Sequence, residues 1–395
     1  MNNVKINEDG GIVKRLLALV KDPSIKVKST ITDFLAPQRV WLKIDERAKI
    51  LVSKKEILKS DPLFSLDDKV YYSPISGKIK NIDKRLNEEG KESLFLQVLN
   101  DYQESDHYAG VDFTTTIIEP TLQKKILNYE GYDWNKIKGK KSLVLNGIED
   151  EVYLANRPFL HKYYSNEILL MLDAIAHTFG ISVIKICVKE NDRESIEAFQ
   201  TVLSTYPDMQ LVILPDVYPI GNEVVLRNYL HLSEEDKIVS TEEIFDLYHE
   251  IIKARRKDFI LVTLTGDAVS NPQVVRVKIG TELQEVASEV LHFQKDDYEV
   301  YVNGLMCGVK SQIKQIILDE HVRAVYFMSP VVHEARRCEG CGKCNLVCPV
   351  GCRPYHALLS KGKEGCADCI HCGLCSFICP SYIDLAKVMA GDSNE

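Results

Sequence analysis

Two cysteine-rich stretches determine how the C-terminal part of this chain folds. They read CEGCGKCNLVCPVGC at residues 338–352 and CADCIHCGLCSFICPSY at residues 366–382. Together they contain ten of the twelve cysteines in a chain of 395 residues. Each stretch contains the spacing C-x2-C-x2-C-x3-C followed directly by proline, starting at Cys338 in the first and at Cys369 in the second.

This repeated spacing is typical of bacterial ferredoxin-type domains that bind two [4Fe–4S] clusters. The C-x2-C-x2-C loop surrounds one cluster with three thiolates, and the fourth cysteine binds the other cluster. Zinc sites normally use two cysteine pairs with a loop between them, so the spacing disfavours zinc. The predicted ligands are Cys338, Cys341, Cys344 and Cys379 for cluster I, and Cys348, Cys369, Cys372 and Cys375 for cluster II.

The remaining cysteines of the two stretches, Cys352 and Cys366, are predicted to lie unligated beside the clusters. A second register that starts at Cys366 also fits C-x2-C-x2-C, but it lacks the C-x3-C-P ending. Cys187 lies within the apolar run ISVIKICV and is expected to be a small buried side chain. Disulfides are not expected, because we place the chain in the cytoplasm.

The composition is that of a soluble globular protein of two to four domains, with 45% hydrophobic and 27% charged residues. A net charge of −8 argues against nucleic-acid binding, which requires a basic face. The most apolar segment, residues 167–188, is interrupted by Asp173, His177 and Lys185. It therefore predicts a core helix and a strand, and we expect no direct membrane insertion.

Residues 1–115 contain short β-rich runs between turn signals, among them VWLKI at 40–44 and KVYY at 69–72. We predict a β barrel-sandwich hybrid there. It has no carrier lysine, because the Met-Lys-Met type of hairpin is missing.

Residues 116–256 alternate between strand and helix patterns, which predicts a Rossmann-like domain with a parallel sheet. One helix is predicted to begin near Ser165 or Asn166 and to end at Gly180. Residues 257–330 follow the order strand, turn, strand, helix, strand, which is typical of a β-grasp (SLBB-like) domain. Residues 331–395 are then an α-helical ferredoxin-type domain with two clusters, and the fold class is α/β multidomain.

In this domain order the chain resembles the RnfC family, the peripheral iron–sulfur and flavin subunit of the Rnf electron-transport complex. More distantly it is similar to the flavin subunit of respiratory complex I. The motifs that carry the resemblance are GGIV (10–13, with Val13 where histidine is usual), SPISGKIKNID (73–83), LVLNGIEDEVYL (143–154), YPIGNE (218–223), LTGDAVSNP (264–272), VNGLMCG (302–308) and CIHCGLCSFICPSYIDL (369–385).

The chain departs from the family pattern where the family binds flavin. The family's glycine-rich loop is replaced by residues 122–141, which contain the bulky Tyr129, Tyr132 and Trp134. Side chains of this size prevent the close backbone approach that a phosphate needs. Asp150 and Val152 replace a cysteine and a proline of the family motif, and Asn222 replaces a glycine. The resemblance therefore implies a degenerate flavin pocket near four residues, Glu151, Tyr153, Gly221 and Glu223.

We accordingly expect an RnfC-like subunit that relays single electrons through two [4Fe–4S] clusters and has no FMN. Its partners would be a ferredoxin or flavoprotein donor or acceptor, or subunits of a reductase or an Rnf-type complex. The alternative is an FMN-containing, NADH-oxidising subunit of an Rnf-type or proline-reductase-like complex, with flavin stacked on Tyr132 or Trp134. A third reading is a scaffold in which the clusters are structural. The expected location is the cytoplasm, with membrane association only through other subunits.

Overall fold

The computed structural model describes residues 3–5, 27–67, 69–87, 91–103, 119–129, 132–253, 255–311, 315–331, 334–362 and 366–391. In this part of the chain the fold is a mixed α/β arrangement with several sheets, as the sequence predicts. The GGIV motif at residues 10–13, and Val13 with it, lie outside the described residues. The domain names and boundaries given above stay predictions.

Short strands with apolar inner faces form most of the structure up to residue 100. They are β1 (Asn3–Lys5), β2 (Thr32–Phe34), β3 (Arg39–Ile44), β4 (Lys49–Ile50), β5 (Glu56–Ile57), β6 (Pro62–Leu66), β7 (Lys69–Tyr72), β8 (Gly77–Leu86) and β9 (Glu92–Asn100). Strands β3, β9, β8 and β5 form one antiparallel sheet, and β4, β6 and β7 form another. Their shared core contains Val40, Leu63 and Val98, all fully buried.

The first two strands pair far from their neighbours in sequence. Strand β1 runs parallel to a strand at residues 209–214, and β2 runs parallel to a strand at residues 273–278. The N-terminal segment is therefore built into the sheets of both middle segments.

The middle of the chain alternates helices and strands around a parallel sheet. Its elements are α1 (Glu119–Leu127), a 3-10 helix (Trp134–Ile137), β10 (Ser142–Asn146), α2 (Asn156–Phe179), β11 (Val183–Lys189), α3 (Arg193–Leu203), β12 (Met209–Leu214), α4 (Glu223–Tyr229), β13 (Asp236–Ser240) and α5 (Thr241–Ile251). The sheet order is β1-β12-β11-β10-β13, and each pairing is parallel. All five residues of β10 are buried, as expected for a parallel strand covered on both faces.

Helix α2 begins earlier than the sequence predicted. It starts at Asn156, and a non-helical residue, Tyr164, kinks it where the predicted start lay. The part of α2 after the kink thus begins at the predicted Ser165, and the missed part is the segment before Tyr164, where the buried polar residues Arg157 and His161 mask the apolar periodicity. The predicted end is confirmed, since Gly180 caps the helix with φ of 68°.

Residues 259–328 form a mixed sheet in the predicted order of strands and helix. The elements are β14 (Phe259–Thr265), β15 (Gln273–Lys278), β16 (Thr281–Glu282), α6 (Leu283–Val290), β17 (Glu299–Val302), β18 (Val309–Ser311), β19 (Ile317–Leu318) and β20 (Ala324–Met328). The sheet order β18-β17-β20-β14-β15-β2 places α6 over a core that includes Val262, Val275 and Val286.

The C-terminal part is made of short helices joined by loops. They are α7 (Lys343–Val347), α8 (Pro354–Leu359), α9 (Leu374–Phe377) and α10 (Leu385–Met389). Such short helices depend on their tertiary contacts for stability.

Replacing Ser240 by alanine should lower the free energy of unfolding by about 1 kcal/mol, because Ser240 caps α5. Its Oγ accepts from the Glu243 N–H at 3.2 Å, and the Glu243 carboxylate accepts from the Ser240 N–H at 2.6 Å. Denaturant unfolding followed by far-UV circular dichroism measures the change. Ser288→Ala, on the exposed face of α6, is the matched control, and an equal loss in both variants would contradict the capping role.

Candidate metal centre

The four cysteines predicted for cluster I lie around one small cavity, together with the apolar side chains of Leu358, Ile383 and Leu385. Three come from the first stretch and one from the second. The cavity-lining cysteines are Cys338, Cys341, Cys344 and Cys379.

A second cavity is lined by the complementary set. Here three cysteines come from the second stretch and one from the first, with Cys352 as a fifth. The four predicted ligands among them are Cys348, Cys369, Cys372 and Cys375. The chain thus brings together the two sets that the spacing grouped, although their binding of iron stays a prediction.

The two cysteine loops have the same local backbone geometry. In each, a glycine with φ near +70° precedes a short helix: Gly342 before α7 and Gly373 before α9. This left-handed conformation favours glycine and turns the chain so that cysteines on either side of the glycine face one cavity. At Gly373 a side chain would also collide with the backbone, because an added Cβ would lie 2.3 Å from the Met306 carbonyl oxygen.

Backbone N–H groups point at sulfurs of both sets. The Gly340 N–H donates to Cys338 Sγ at 3.4 Å, and the Cys352 N–H donates to Cys348 Sγ at 3.2 Å. Hydrogen bonds of this kind stabilise thiolates and influence the reduction potential of a bound cluster.

Burial favours the protonated thiols in the metal-free chain. It raises the pKa of Cys372 to about 12 and that of Cys375 to about 11, and it also raises the pKa of Cys344. Binding of a positively charged centre would deprotonate these sulfurs, so loading must release protons.

Among the described residues, no group of three or more His, Cys, Asp or Glu side chains lies close enough to hold a single metal ion. Thiolates around a [4Fe–4S] cluster stand farther apart than thiolates around one ion, because four irons lie between them. Spacing that is too wide for one ion is therefore compatible with a cluster.

The structure corrects the expectation that disulfides are absent. Cys352 and Cys366 are joined, with their Cα atoms 5.6 Å apart. Helix α8 turns the chain between them so that the two meet, an approach that cysteine spacing alone does not reveal. Cys187 is fully buried in β11, as predicted.

The predicted flavin-pocket residues have diverse surroundings. The buried Glu151 carboxylate accepts N–H bonds from Val152 and Cys307, at 2.9 Å each. Tyr153 is half-buried and has a φ of 60°. Gly221 is packed so tightly that an added Cβ would lie 2.2 Å from the Glu149 carbonyl oxygen. Glu223 begins α4 on the surface and pairs with Arg227 at 3.5 Å.

Tyr218, the first residue of the YPIGNE motif, connects this region to the second cysteine loop. Its hydroxyl donates to the Cys372 carbonyl oxygen at 2.9 Å and lies 3.2 Å from Cys307 Sγ. The side chain is 2% exposed. The strand–helix domain therefore directly contacts a predicted ligand of cluster II.

Aromatic side chains fill the region where the family has its glycine-rich loop. Trp134 is 1% exposed and packs in the same core as Ile126 and Leu143. Tyr129 and Tyr132 stack with ring centroids 6.0 Å apart, and the Tyr132 hydroxyl lies 3.4 Å from Asp246 Oδ2. Trp134, Tyr129 and Tyr132 are therefore packing residues in this structure.

A cavity of about 230 Å³ lies beyond the carboxyl ends of β10 and β13. Parallel sheets commonly bind ligands at this edge. The cavity is lined by Arg157, whose guanidinium donates to the Ile148 carbonyl oxygen and to Glu242 at 3.0 Å. Arg323 also lines it and pairs with Asp150 at 2.7 Å.

The sequence analysis did not single out these charged residues. Arg157 and Glu149 are both nearly fully buried. The acidic run IEDEVY could have indicated buried basic partners, since a buried carboxylate needs a cation or N–H donors. Arg157 serves both needs, because its backbone N–H also donates to Glu149 Oε1 at 2.6 Å.

Comparison with known proteins identifies relatives of the predicted kind. A profile of the family described as Nuo51 FMN-binding domain matches residues 130–245. The subunit designated C of the ion-translocating oxidoreductase complex of Rhodobacter capsulatus is 25% identical over 54% of this chain and 44% of its own length. The protein of the same name from Buchnera aphidicola is 24% identical over 91% of this chain and 83% of its own.

A third relative belongs to the Na(+)-translocating ferredoxin:NAD(+) oxidoreductase complex of Acetobacterium woodii, where it also carries the designation C. It is 25% identical over 54% of this chain and 51% of its own length. The chain spans about half the length of several of these curated relatives. An NAD+-reducing [NiFe]-hydrogenase structure aligns over 65% of this chain and 52% of its own, with 14% identity and a TM-score of 0.45, a likeness too weak to carry an argument.

The cysteine loops are consistent with iron–sulfur binding, and the relatives are named as subunits of oxidoreductase complexes. The chain is RnfC-like, as its motifs predicted. Among the described residues, no helix has the length and apolarity required to cross a membrane.

Replacing Glu149 by glutamine should make the folded chain more stable at pH 8 than the wild type, and should change little at pH 5. Burial raises the pKa of Glu149 from 4.5 to about 7, and its Oε2 has no hydrogen-bond partner in the described part of the chain. The folded state holds this proton in the window where the unfolded state has released it, so wild-type stability falls as the pH rises through that window. Thermal unfolding at both pH values tests this.

Glutamine keeps the acceptor for the Arg157 N–H but does not titrate. Glu223→Gln, on the surface of α4, is the control for the change of side chain. A stability difference for Glu149→Gln that is the same at pH 5 and pH 8 would contradict the raised pKa.

Proposed function

We propose that this chain is an RnfC-like electron-transfer subunit that relays single electrons through two [4Fe–4S] clusters between partner redox proteins, without a flavin of its own. The observation that carries the proposal is the pair of cavities, each lined by four predicted ligands, three from one stretch and one from the other, with Cys352 also lining the second cavity. The names of the relatives place similar chains in ion-translocating and ferredoxin-linked oxidoreductase complexes.

A bound cluster would supply reversible one-electron chemistry, and the chain would supply its ligands and surroundings. Cluster I would be held by Cys338, Cys341, Cys344 and Cys379, and cluster II by Cys348, Cys369, Cys372 and Cys375. Val347 and Leu374, both buried beside the cysteine loops, would exclude water from them.

Exposed apolar side chains near the cysteine loops support a partner surface at this end. Large hydrophobic residues that are 44–68% exposed lie close to the cysteines in sequence: Val331, Leu346, Leu359, Phe377 and Tyr382. Exposed apolar groups of this size are typical of protein–protein contacts. Electron donors and acceptors must approach closely, so these residues fit a docking redox partner.

The proposal that flavin is absent rests on two features near residues 122–141. Trp134 is part of the core, and the cavity at the sheet edge is about 230 Å³, below the roughly 300 Å³ at which ligand pockets usually begin. Arg157 and Glu242 pair with each other inside it and leave little room for a phosphate and a ring system. The cavity at the sheet edge is therefore small for FMN, and a separate cavity of about 1250 Å³ lies beside Tyr129.

The second candidate is the FMN-containing, NADH-oxidising subunit. It is favoured by the match of residues 130–245 to a family described as FMN-binding. In this case the aromatic side chains would have to move out of the core to admit the flavin.

Anaerobically purified protein should contain about eight iron atoms and eight acid-labile sulfides per chain. Because the sets share cysteines between the two stretches, Cys379→Ala should damage cluster I, whose other ligands are in the first stretch, and should spare cluster II. Iron analysis and EPR spectroscopy of the reduced protein measure this. Cys187→Ala is the control for loss of a cysteine, and four irons in the wild type would contradict the two-cluster proposal.

Acid release from the same preparation should yield no flavin. NADH or NADPH alone should leave the visible absorption of the clusters unchanged, whereas dithionite should bleach it. One FMN per chain, or bleaching by NADH, would favour the second candidate instead.

A further inference from the structure

A disulfide lies against the cavity of cluster II. Cys352 lines this cavity together with the four predicted ligands, and its backbone N–H donates to Cys348 Sγ at 3.2 Å. Its partner Cys366 is bound to the same loop, because the Cys366 carbonyl oxygen accepts from the Cys369 N–H at 3.1 Å. Cys352 and Cys366 thus each form a backbone hydrogen bond with a predicted ligand of cluster II.

Cys352 and Cys366 differ in their solvent exposure. Cys352 is 3% exposed and packs with Cys348, Ala357 and Met389. Cys366 is partly exposed, so one sulfur faces the cluster cavity and the other is nearer to water.

We propose that the Cys352–Cys366 pair is a third redox centre of this chain, a disulfide that takes two electrons from the clusters and becomes a dithiol. The inference rests on the proposed function, since the clusters supply the electrons. Two clusters that are reduced once each hold two electrons, which is the number that one disulfide requires. The chain would then convert single electrons into an electron pair.

The reaction is balanced without a further reactant. The S–S bond breaks, each sulfur gains one electron, and two protons from water complete two thiols. Clusters held by the two cysteine sets would supply these electrons one at a time, and a low-potential one-electron donor such as reduced ferredoxin would supply the clusters. Cys366 is partly exposed and is the member of the pair nearer to solvent.

Adding two electrons per chain from titanium(III) citrate under anaerobic conditions tests the proposal. In the wild type, the visible absorption of the clusters should bleach and then return, while two thiols appear. Quenching with iodoacetamide under denaturing conditions and mapping the peptides by mass spectrometry should locate the new thiols at Cys352 and Cys366. A permanently bleached wild type with the disulfide intact would overturn the proposal.

Cys366→Ser removes the electron acceptor and keeps the predicted ligands. Its clusters should stay bleached after the same two electrons, and Cys187→Ala should behave like the wild type. Cys352→Ser provides a second variant with the same expected result. Recovery of the absorption in both serine variants, at the wild-type rate, would show that the electrons go elsewhere and would overturn the proposal.

Iron content and EPR spectra, recorded before the electrons are added, distinguish a failure of the disulfide centre from a failure of the proposed function. Eight irons with no thiol formation would overturn the disulfide centre alone. A wild type without iron would overturn the proposed function and the electron source of the disulfide together.

Discussion

One buried carboxylate determines how the C-terminal loops meet the rest of the chain. Glu151 accepts N–H bonds from Met306 and Cys307, and so it fixes the turn after β17 to the loop after β10. The same turn, through Met306, packs against Gly373, where only a glycine fits. Glu151 therefore contributes, together with Tyr218, to the position of the second cysteine loop relative to the parallel sheet. Burial raises the pKa of Glu151, and the backbone donors around the carboxylate oppose that shift.

The same region explains why residues differ from the family pattern. Asp150 stands where the family has cysteine, and it pairs with Arg323 on the neighbouring sheet. Val152 stands where the family has proline, and it packs with Tyr218 and Leu374. Both residues thus contribute to contacts between segments, Asp150 through an ion pair and Val152 through packing.

The grouping of the cysteines could be predicted because their spacing is a local pattern. Four residues in a short run restrict each other's directions whatever the rest of the chain does, and the observed cavities contain the predicted sets. The Cys352–Cys366 contact could not be predicted, since it depends on how α8 folds the segment between them. The part of α2 before the kink at Tyr164 was missed for a related reason: Arg157 is buried with its partners Glu242 and Ile148, and a polar residue gives no apolar signal.

The pairing of the first strands has a consequence for biosynthesis. Asn3 pairs with Leu211, and Thr32 pairs with Val275, so these strands find their partners only after the long stretch between each pair has been made. Until then both strands present unpaired edges, which are prone to aggregation, and such distant contacts slow folding. The antiparallel sheets of β3 to β9 can assemble early from their own hairpins. The sheets of both middle segments are completed only when β1 pairs with β12 and β2 pairs with β15.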